Sequence, residues 1–360
     1  MTKVFMGLSG GVDSAVSAAL FKEQGLDVTG VFIKIWQPEF IECTWREDRL
    51  DAMRAAATLG IPFREVDFSA EYKKEVVDTM VAEYARGITP NPDVACNRAI
   101  KFGHFMKWAR ENGADFIATG HYARLRPDSA KATTGKQGYG GQARIDLLRG
   151  ADKNKDQSYF LYQLTEDDLT HTLFPIGDMT KQQVRSLAKK FGLSNAEKPD
   201  SQGICFLGDV SMEEFLGRFI TLERGAVLDM AGKKMGEHRG AALYTAGQRH
   251  GFTVRSVQRS GGEHYVVSVD TRANTITVSH NRLDAARKEL TVERMHWIHP
   301  QTLPLEAEAQ ARYRETPVPV RVEDAKGRIR VAFSEPHLVS AGQSLVLYQG
   351  ELCLGGGIIC

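Results

Sequence analysis

The chain of 360 residues has no run approaching the roughly 18 apolar residues that a membrane-spanning helix needs. Its five cysteines, at 43, 96, 205, 353 and 360, include no C-x-x-C pair. That spacing argues against a zinc ribbon, an iron–sulfur centre and a thioredoxin-like redox pair, and it offers no disulfide framework. No G-x4-G-K-[ST] occurs, so there is no Walker-type phosphate loop. Charge of one sign is also missing: 46 Lys and Arg face 45 Asp and Glu, for a net charge of +1. A nucleic-acid partner would therefore have to be met by a local patch rather than by a basic protein overall. No internal repeat is evident, and the first residues read as a core strand rather than a leader, so the cytoplasm is the expected compartment.

What is present is a globular composition, 42% apolar and 25% charged, in a chain long enough for two or three domains. The most informative stretch is KVFMGLSGGVDS, residues 3–14. An apolar run (Val4, Phe5, Met6, Leu8) reads as a buried strand. It ends in Ser9-Gly10-Gly11, after which Val12, Ala15, Val16, Ala19 and Leu20 fall at helical spacing. Strand, glycine turn and helix N-terminus together favour an anion, because the backbone can come close and the first-turn N–H groups and helix dipole point at it. Ser9 and Ser14 add hydroxyl donors, and Asp13 can hold a magnesium ion beside the phosphates. A plain capped strand–helix turn is the alternative.

The first half alternates strands (4–9, 28–35, 63–68, 115–119) with helical stretches (13–24, 46–59, 69–86, 93–110). Such alternation implies a parallel sheet with right-handed crossovers and a ligand at the carboxyl ends of the strands. That rule gathers Ser9–Ser14, the segment after Ile33 and Gly120-His121 into one crevice. Residues 128–143, rich in Gly, Ser, Thr and Lys, read as a surface loop. Helical signals return at 165–173 and 179–191. From about 290 the pattern is all-β with a period of two, as in Leu305, Ala307, Ala309, Ala311 and Tyr313, and suggests a small barrel or sandwich. The expected division is 1–202, a small central domain over 203–275, and a C-terminal barrel over 276–360.

Two cysteines lie where chemistry is plausible. In TPNPDVACNRAIKFG (89–103), Pro92 suits a first helical position and Cys96 falls within about a turn of the helix start, near Arg98 and Lys101. Such surroundings favour a thiolate. Asp93, three residues earlier, shares the face of the thiol and can act as general acid or base. In KPDSQGICFLGD (198–209), Cys205 follows a Pro/Asp/Ser/Gly loop. Either thiol alone is as well explained by burial. Cys43 reads as incidental, and Cys353 and Cys360 as structural or surface thiols.

These motifs carry a resemblance. SGGVDS (9–14) is similar to the PP-loop of the ATP pyrophosphatases. With NPDVACN (91–97), ATGHYAR (118–124), KDQSYFL (155–161), DSQGICF (200–206), GQSLVLY and CLGGGII, the chain resembles the tRNA-specific 2-thiouridylases, the bacterial MnmA family, in order and through nearly its whole length. The resemblance implies an α/β architecture: a doubly wound parallel-sheet PP-loop domain (adenine nucleotide alpha hydrolase-like), a small central domain and a C-terminal β-barrel. It implies ATP, with magnesium, on Gly7, Leu8, Ser9, Gly10, Gly11, Val12, Asp13 and Ser14, with Ile33 and Gly120 near the adenosine. It implies adenylation of the wobble uridine O2, a persulfide on Cys205, Cys96 as nucleophile, a disulfide between them after sulfur transfer, and Asp93 managing protons. Cys96 would either activate the uridine C2 or resolve the persulfide. The lack of C-x-x-C fits such chemistry rather than an iron–sulfur thiolase.

The same resemblance places the target base at Asn91, Pro92 and Asp93. It places the tRNA body at His121, Lys155, Asp156, Gln157, Arg312, Tyr313 and Gln343. Arg312 and Tyr313, read as neighbours on a strand, can pair a phosphate and stack a base. Lys233, Lys234, His238, Arg239, Arg249, His250, Arg255 and Arg259 make the central region locally basic. The implied partners are tRNA with Lys, Glu or Gln acceptors and a persulfide donor, either a cysteine desulfurase or a sulfur-relay protein. A monomer binding one tRNA is the simplest state. The competing readings are another PP-loop adenylating ligase, which has no need of Cys96 and Cys205, and a catalytically idle RNA-binding protein.

Overall fold

The computed structural model describes residues 1–40, 45–127, 144–200, 210–254 and 262–360. Cys43, the 128–143 loop, Cys205, Arg255 and Arg259 lie outside the described residues.

Strands β1 (Lys3–Gly7), β2 (Asp27–Lys34), β3 (Phe63–Asp67) and β4 (Phe116–Ala118) pair in parallel, and a short β7 (Thr172–Leu173) completes the order β3-β2-β1-β4-β7. Val4 and Met6 on one face of β1 and Phe5 on the other are 0%, 0% and 2% exposed. Burial of both faces is what makes the strand read as a continuous apolar run. Each such side chain contributes about 1.5–3 kcal/mol of transfer free energy. Helices α1 (Val12–Glu23) and α2 (Trp45–Leu59) start near the positions that the periodicity sets.

Four local readings differ from the expectation. The stretches 69–86 and 93–110 are not plain α-helices, because each contains a π-helical turn, at Lys73–Val77 and Asn97–His104. The two wide turns face each other, and His104 Nε2 lies 2.7 Å from Glu75 Oε1. Residues 165–173 split into a capped helix, Glu166–Thr170, and strand β7. The segment around the 128–143 loop forms a hairpin, β5 (Ala123–Pro127) and β6 (Ile145–Arg149), which no reading anticipated. Its strands are short and partly polar, so neither period shows clearly.

The central sheet contains β8 (Gly225–Leu228), β9 (Lys234–His238), β10 (Phe252–Val254), β11 (Tyr265–Asp270) and β12 (Thr275–Ser279), in the order β10-β9-β8-β12-β11. Strand β12, through which the expected 275/276 division cuts, pairs wholly within this sheet. The C-terminal strands are β13 (Ala286–Trp297), β14 (Leu305–Gln310), β15 (Val318–Asp324), β16 (Ile329–Leu338), β17 (Ser344–Gln349) and β18 (Leu352–Ile359). They run β13-β16-β15-β14-β17-β18 and close by pairing of β13 with β18, leaving no free edge in the ring. The hairpin of the first domain attaches there through Leu148 opposite Leu352. Arg312 and Tyr313 lie in a turn after β14, not on it, because Glu315 folds back to accept the N–H groups of Ala311 and Arg312 at 3.0 and 3.1 Å. Among the described residues no helix is long and apolar enough to cross a membrane.

Candidate active site

The loop between β1 and α1 is held in shape by its own serines. Ser9 N–H donates to Ser14 Oγ at 3.2 Å, Gly11 N–H donates to Ser9 Oγ at 3.3 Å, and Ser14 Oγ donates to the Gly11 carbonyl at 3.0 Å. Gly10 has φ +78°, and a Cβ there would lie 2.3 Å from the Asp48 carbonyl oxygen. Only glycine fits. Gly11, at the N-cap of α1, has no side chain to cap the helix, so the first turn is left to a ligand rather than to a local oxygen. Buried Asn195 donates to the Gly10 carbonyl at 3.0 Å, while its Oδ1 takes no hydrogen bond among the described residues. The arrangement suits a phosphate chain. Leu8 is interior, with its N–H on the Val31 carbonyl at 2.8 Å, and Ile33 continues β2 beyond the end of β1. Gly120 presses on this loop so closely that a Cβ would lie 2.8 Å from Ser14 N.

Asp13 is already engaged. Lys181, the first residue of the helix Lys181–Lys190, reaches both carboxylate oxygens at 2.7 and 2.8 Å, and Tyr122 donates its hydroxyl at 2.8 Å. Burial first, then the Asp13 charge, pushes the Tyr122 hydroxyl far above the usual range, so it stays a donor. Among the described residues no group of three or more His, Cys, Asp or Glu could hold a metal. A magnesium ion beside Asp13 would need phosphate oxygens for the rest of its ligands.

The second half of the site begins at Asn91, whose Oδ1 accepts Val94 N–H at 3.3 Å as the N-cap. Pro92 occupies the first turn as its fixed φ allows. Asp93 follows, half-buried; burial raises its carboxyl above the usual range, and Lys101 opposes the shift. Cys96, 7% exposed, ends the α-helical turn where the π-helical one begins. His121 joins the two halves. Its ring lies 6.0 Å from both Phe102, on the cysteine-bearing helix, and Phe174 beyond β7. Its Nδ1 meets Thr119 Oγ1 at 2.8 Å. Burial, with Lys101 adding to it, keeps the imidazole well below its usual pKa and so neutral. His121 thus packs on Phe102 of the cysteine-bearing helix, and its neighbour Gly120 packs on Ser14.

Other expected residues also serve the protein's own structure here. His121, expected on the tRNA body, is 7% exposed and packed inside. Gln157 accepts Tyr122 N–H at 3.0 Å, and Asp156 accepts the N–H groups of Gly150 and Ser158 at 2.9 and 3.0 Å. Lys155 pairs with Asp200. Gln343 donates to the Thr89 carbonyl at 2.7 Å and thereby holds the turn that leads into Asn91. Arg312 donates to the Ala246 carbonyl at 3.0 Å, and Arg314, not Arg312, lies over the Tyr313 ring at 5.1 Å. The central basic cluster is partly neutralised: Lys234, Arg239 and Arg249 pair with Glu237, Glu213 and Glu263 at 3.0, 2.9 and 2.8 Å. His238 is 2% exposed. Cys353 is fully interior, and burial pushes its thiol up to about 12, which makes it inert.

Lys181, Tyr122 and Asn195 were missed by sequence reasoning. Tyr122 lies inside the ATGHYAR motif, and a Thr180–Gln183 capping box marks the helix that Lys181 begins. Nothing local in the sequence says that this helix meets Asp13.

Three family models match in sequence order. They are the tRNA methyl transferase HUP domain over residues 2–209, the tRNA methyl transferase PRC-barrel domain over 213–280 and the aminomethyltransferase β-barrel domain over 287–359. Curated relatives span the whole chain. The tRNA-specific 2-thiouridylase MnmA of Streptococcus equi subsp. zooepidemicus is 41% identical over 99% of this chain and 95% of that protein. Its namesake from Shigella flexneri serotype 5b is 42% identical over 99% and 96%. The chain belongs to the tRNA-specific 2-thiouridylase family. Methyl transfer appears only in the names of the domain models, and the full-length 2-thiouridylases decide the family.

Proposed function

We infer that this protein is an ATP-dependent tRNA-uridine 2-sulfurtransferase that converts the wobble uridine of tRNA to 2-thiouridine, with AMP and pyrophosphate as the other products. The observation that carries the reading is the uncapped start of α1, with the His121 turn packed against it through Gly120 and against the cysteine-bearing helix through Phe102. The uridine O2 is a poor leaving group, and its adenylation converts it into a good one, with the phosphates held at Gly7–Ser14. Ile33 and Gly120 border the adenosine, and magnesium enters with the nucleotide beside Asp13. Asn91, Pro92 and Asp93 receive the base. Asp93, whose proton is held more tightly than that of an ordinary carboxyl, exchanges it with the base or the thiol.

Sulfur arrives as a persulfide on Cys205. Its outer sulfur bonds to the uridine C2, and the C2–O bond breaks with AMP leaving. The Cys96 thiolate then attacks the Cys205 sulfur; the S–S bond to the outer sulfur breaks with its electron pair left on the 2-thiouridine sulfur, and the Cys96–Cys205 disulfide forms. A reductant then restores both thiols. The donor is a cysteine desulfurase or a relay protein, and the tRNAs are those for Lys, Glu and Gln. The protein acts as a monomer in the cytoplasm. Lys155, Arg312 and Tyr313 face the approach of the tRNA body, while His121, Asp156, Gln157 and Gln343 act from behind it by shaping the loops that meet it.

Nucleoside mass spectrometry tests the reading, on unmodified tRNA incubated with the protein, ATP and a persulfide donor. A sulfur-for-oxygen mass gain confined to the wobble uridine and absent without ATP is expected. Amide-forming chemistry on the same base, or no product, would replace it with the ligase or the idle RNA-binding reading.

A further inference from the structure

Asp13, Lys181, Asp200 and Lys155 form one chain of ion pairs. Lys181 spends its three donors on two carboxylates: both oxygens of Asp13, at 2.7 and 2.8 Å, and Asp200 Oδ1 at 2.7 Å. Its side chain is 14% exposed, so water does little to screen the contest. Asp200 is shared three ways, with Lys181, with Lys155 and with Arg185 at 3.2 Å. Burial alone would raise the Asp200 carboxyl, but the lysines outweigh it and hold it at about 2, so it remains a carboxylate. Asp152 completes the surroundings by accepting the Lys181 backbone N–H at 3.0 Å, which fixes the helix end while the side chain can move.

The ends of this chain lie at the two substrates. Asp13 is the acid of the phosphate loop, and Lys155 lies in the segment that meets the tRNA body in the proposed function, on which this inference rests. We propose that Asp200 is a positioning residue that couples tRNA binding to nucleotide binding through Lys181. An RNA phosphate that takes Lys155 removes one cation from Asp200. Asp200 then draws Lys181 more strongly, and Lys181 releases Asp13, whose freed oxygens can meet the magnesium of an incoming nucleotide. No bond is made or broken. The two substrates help each other because each needs the same ammonium shifted in the same direction, and linkage makes the effect reciprocal.

The test is the dissociation constant of a non-hydrolysable ATP analogue with magnesium, measured with and without an unmodified tRNA transcript. In the wild type tRNA should tighten the analogue by a factor in the range of about 5–150 that is usual for coupled sites. Asp200→Asn should bring that factor close to one, Asp200→Glu should restore part of it, and Lys155→Gln should lower it as well. Because Lys155→Gln removes one cation from Asp200 permanently, it should already tighten the analogue without tRNA. Since it keeps Asp13, Lys181 and Asp200, it reports even if Asp200→Asn does not fold. A wild-type factor near one with both ligands bound, or an undiminished factor in Lys155→Gln and Asp200→Asn, overturns the coupling and leaves the proposed function standing. Failure of the wild type to bind either ligand removes both.

Discussion

The two halves of the site are built in different ways. The phosphate-loop half is built within one domain. Eight consecutive residues, one strand end and one helix start form its loop, and its serines hydrogen-bond to one another. Asn195, Lys181 and Tyr122 hold it from the same domain. The segment proposed to receive the base is assembled from afar. Thr89 N–H donates to the Ala341 carbonyl at 3.3 Å, Thr89 Oγ1 meets Thr245 Oγ1 at 2.8 Å, and Gln343 holds the Thr89 carbonyl. The turn before Asn91 is thus pinned by the central domain and the barrel together. A Cβ at Gly342 would lie 2.1 Å from Ile88 Cγ2, so the barrel approaches this turn as closely as backbone allows. A phosphate site can be carried by a turn that folds with its own sheet. A site for one base within a tRNA has to be aligned with surfaces that only the other domains provide.

The largest effect should come from the phosphate-loop half. Asp13→Ala removes the carboxylate that Lys181 and Tyr122 share, and ATP-dependent turnover is expected to fall by about 10² or more, as when a charge-stabilising group is lost from an active site. Circular dichroism should show the fold intact, since Lys181 keeps Asp200 as a partner. Unchanged turnover would move the phosphates away from α1.

Gln343→Ala probes the assembled half. Loss of one hydrogen bond worth about 0.5–1.5 kcal/mol should lower kcat/KM for tRNA roughly threefold to tenfold. Affinity for the nucleotide in the absence of tRNA should stay as it was. If nucleotide affinity fell by the same factor, the halves would not be separable as described.

The smallest effect is on stability. The Asp93 carboxyl titrates above its ordinary 3.8 because burial disfavours the charge. A group raised in this way contributes its full stability below 3.8 and loses it as pH rises through the folded value. The carboxylate form of half-buried Asp93 is thus a burden on the fold. Thermal denaturation from about pH 4 to 8 should show Asp93→Asn gaining on the wild type as pH rises, although it is inactive in thiolation. A gap that shrinks with pH would mean that the carboxylate is stabilised where it lies.

The same contrast explains what the sequence made legible. The strand–glycine turn–helix unit at 3–14, the parallel sheet and Pro92 in the first turn of its helix were readable because each depends on neighbours within a few residues. The all-β end was readable because a period of two survives in Leu305–Ala309 and Val318–Val322. The hairpin around 128–143 was not, since its pairing with the barrel is a long-range fact that leaves no local period. Lys181 was hidden for the same reason: it lies 168 residues from Asp13 in a helix whose capping box predicts its start but not its neighbour. Arg312 and Tyr313 were read as strand because the alternation runs on through them, yet the Glu315 carboxylate captures two backbone N–H groups and turns the chain. The π-helical turns were invisible because apolar spacing alone does not distinguish 3.6 from a slightly wider turn.

In the proposed function, nucleotide activation at the β1–α1 loop and sulfur delivery at Cys96 are separate tasks. That separation is tested most directly with Cys96→Ser, by measuring pyrophosphate release and 2-thiouridine in the same reaction with tRNA and a persulfide donor. The account predicts tRNA-dependent pyrophosphate release without 2-thiouridine. Formation of 2-thiouridine by that variant at the wild-type rate would contradict it.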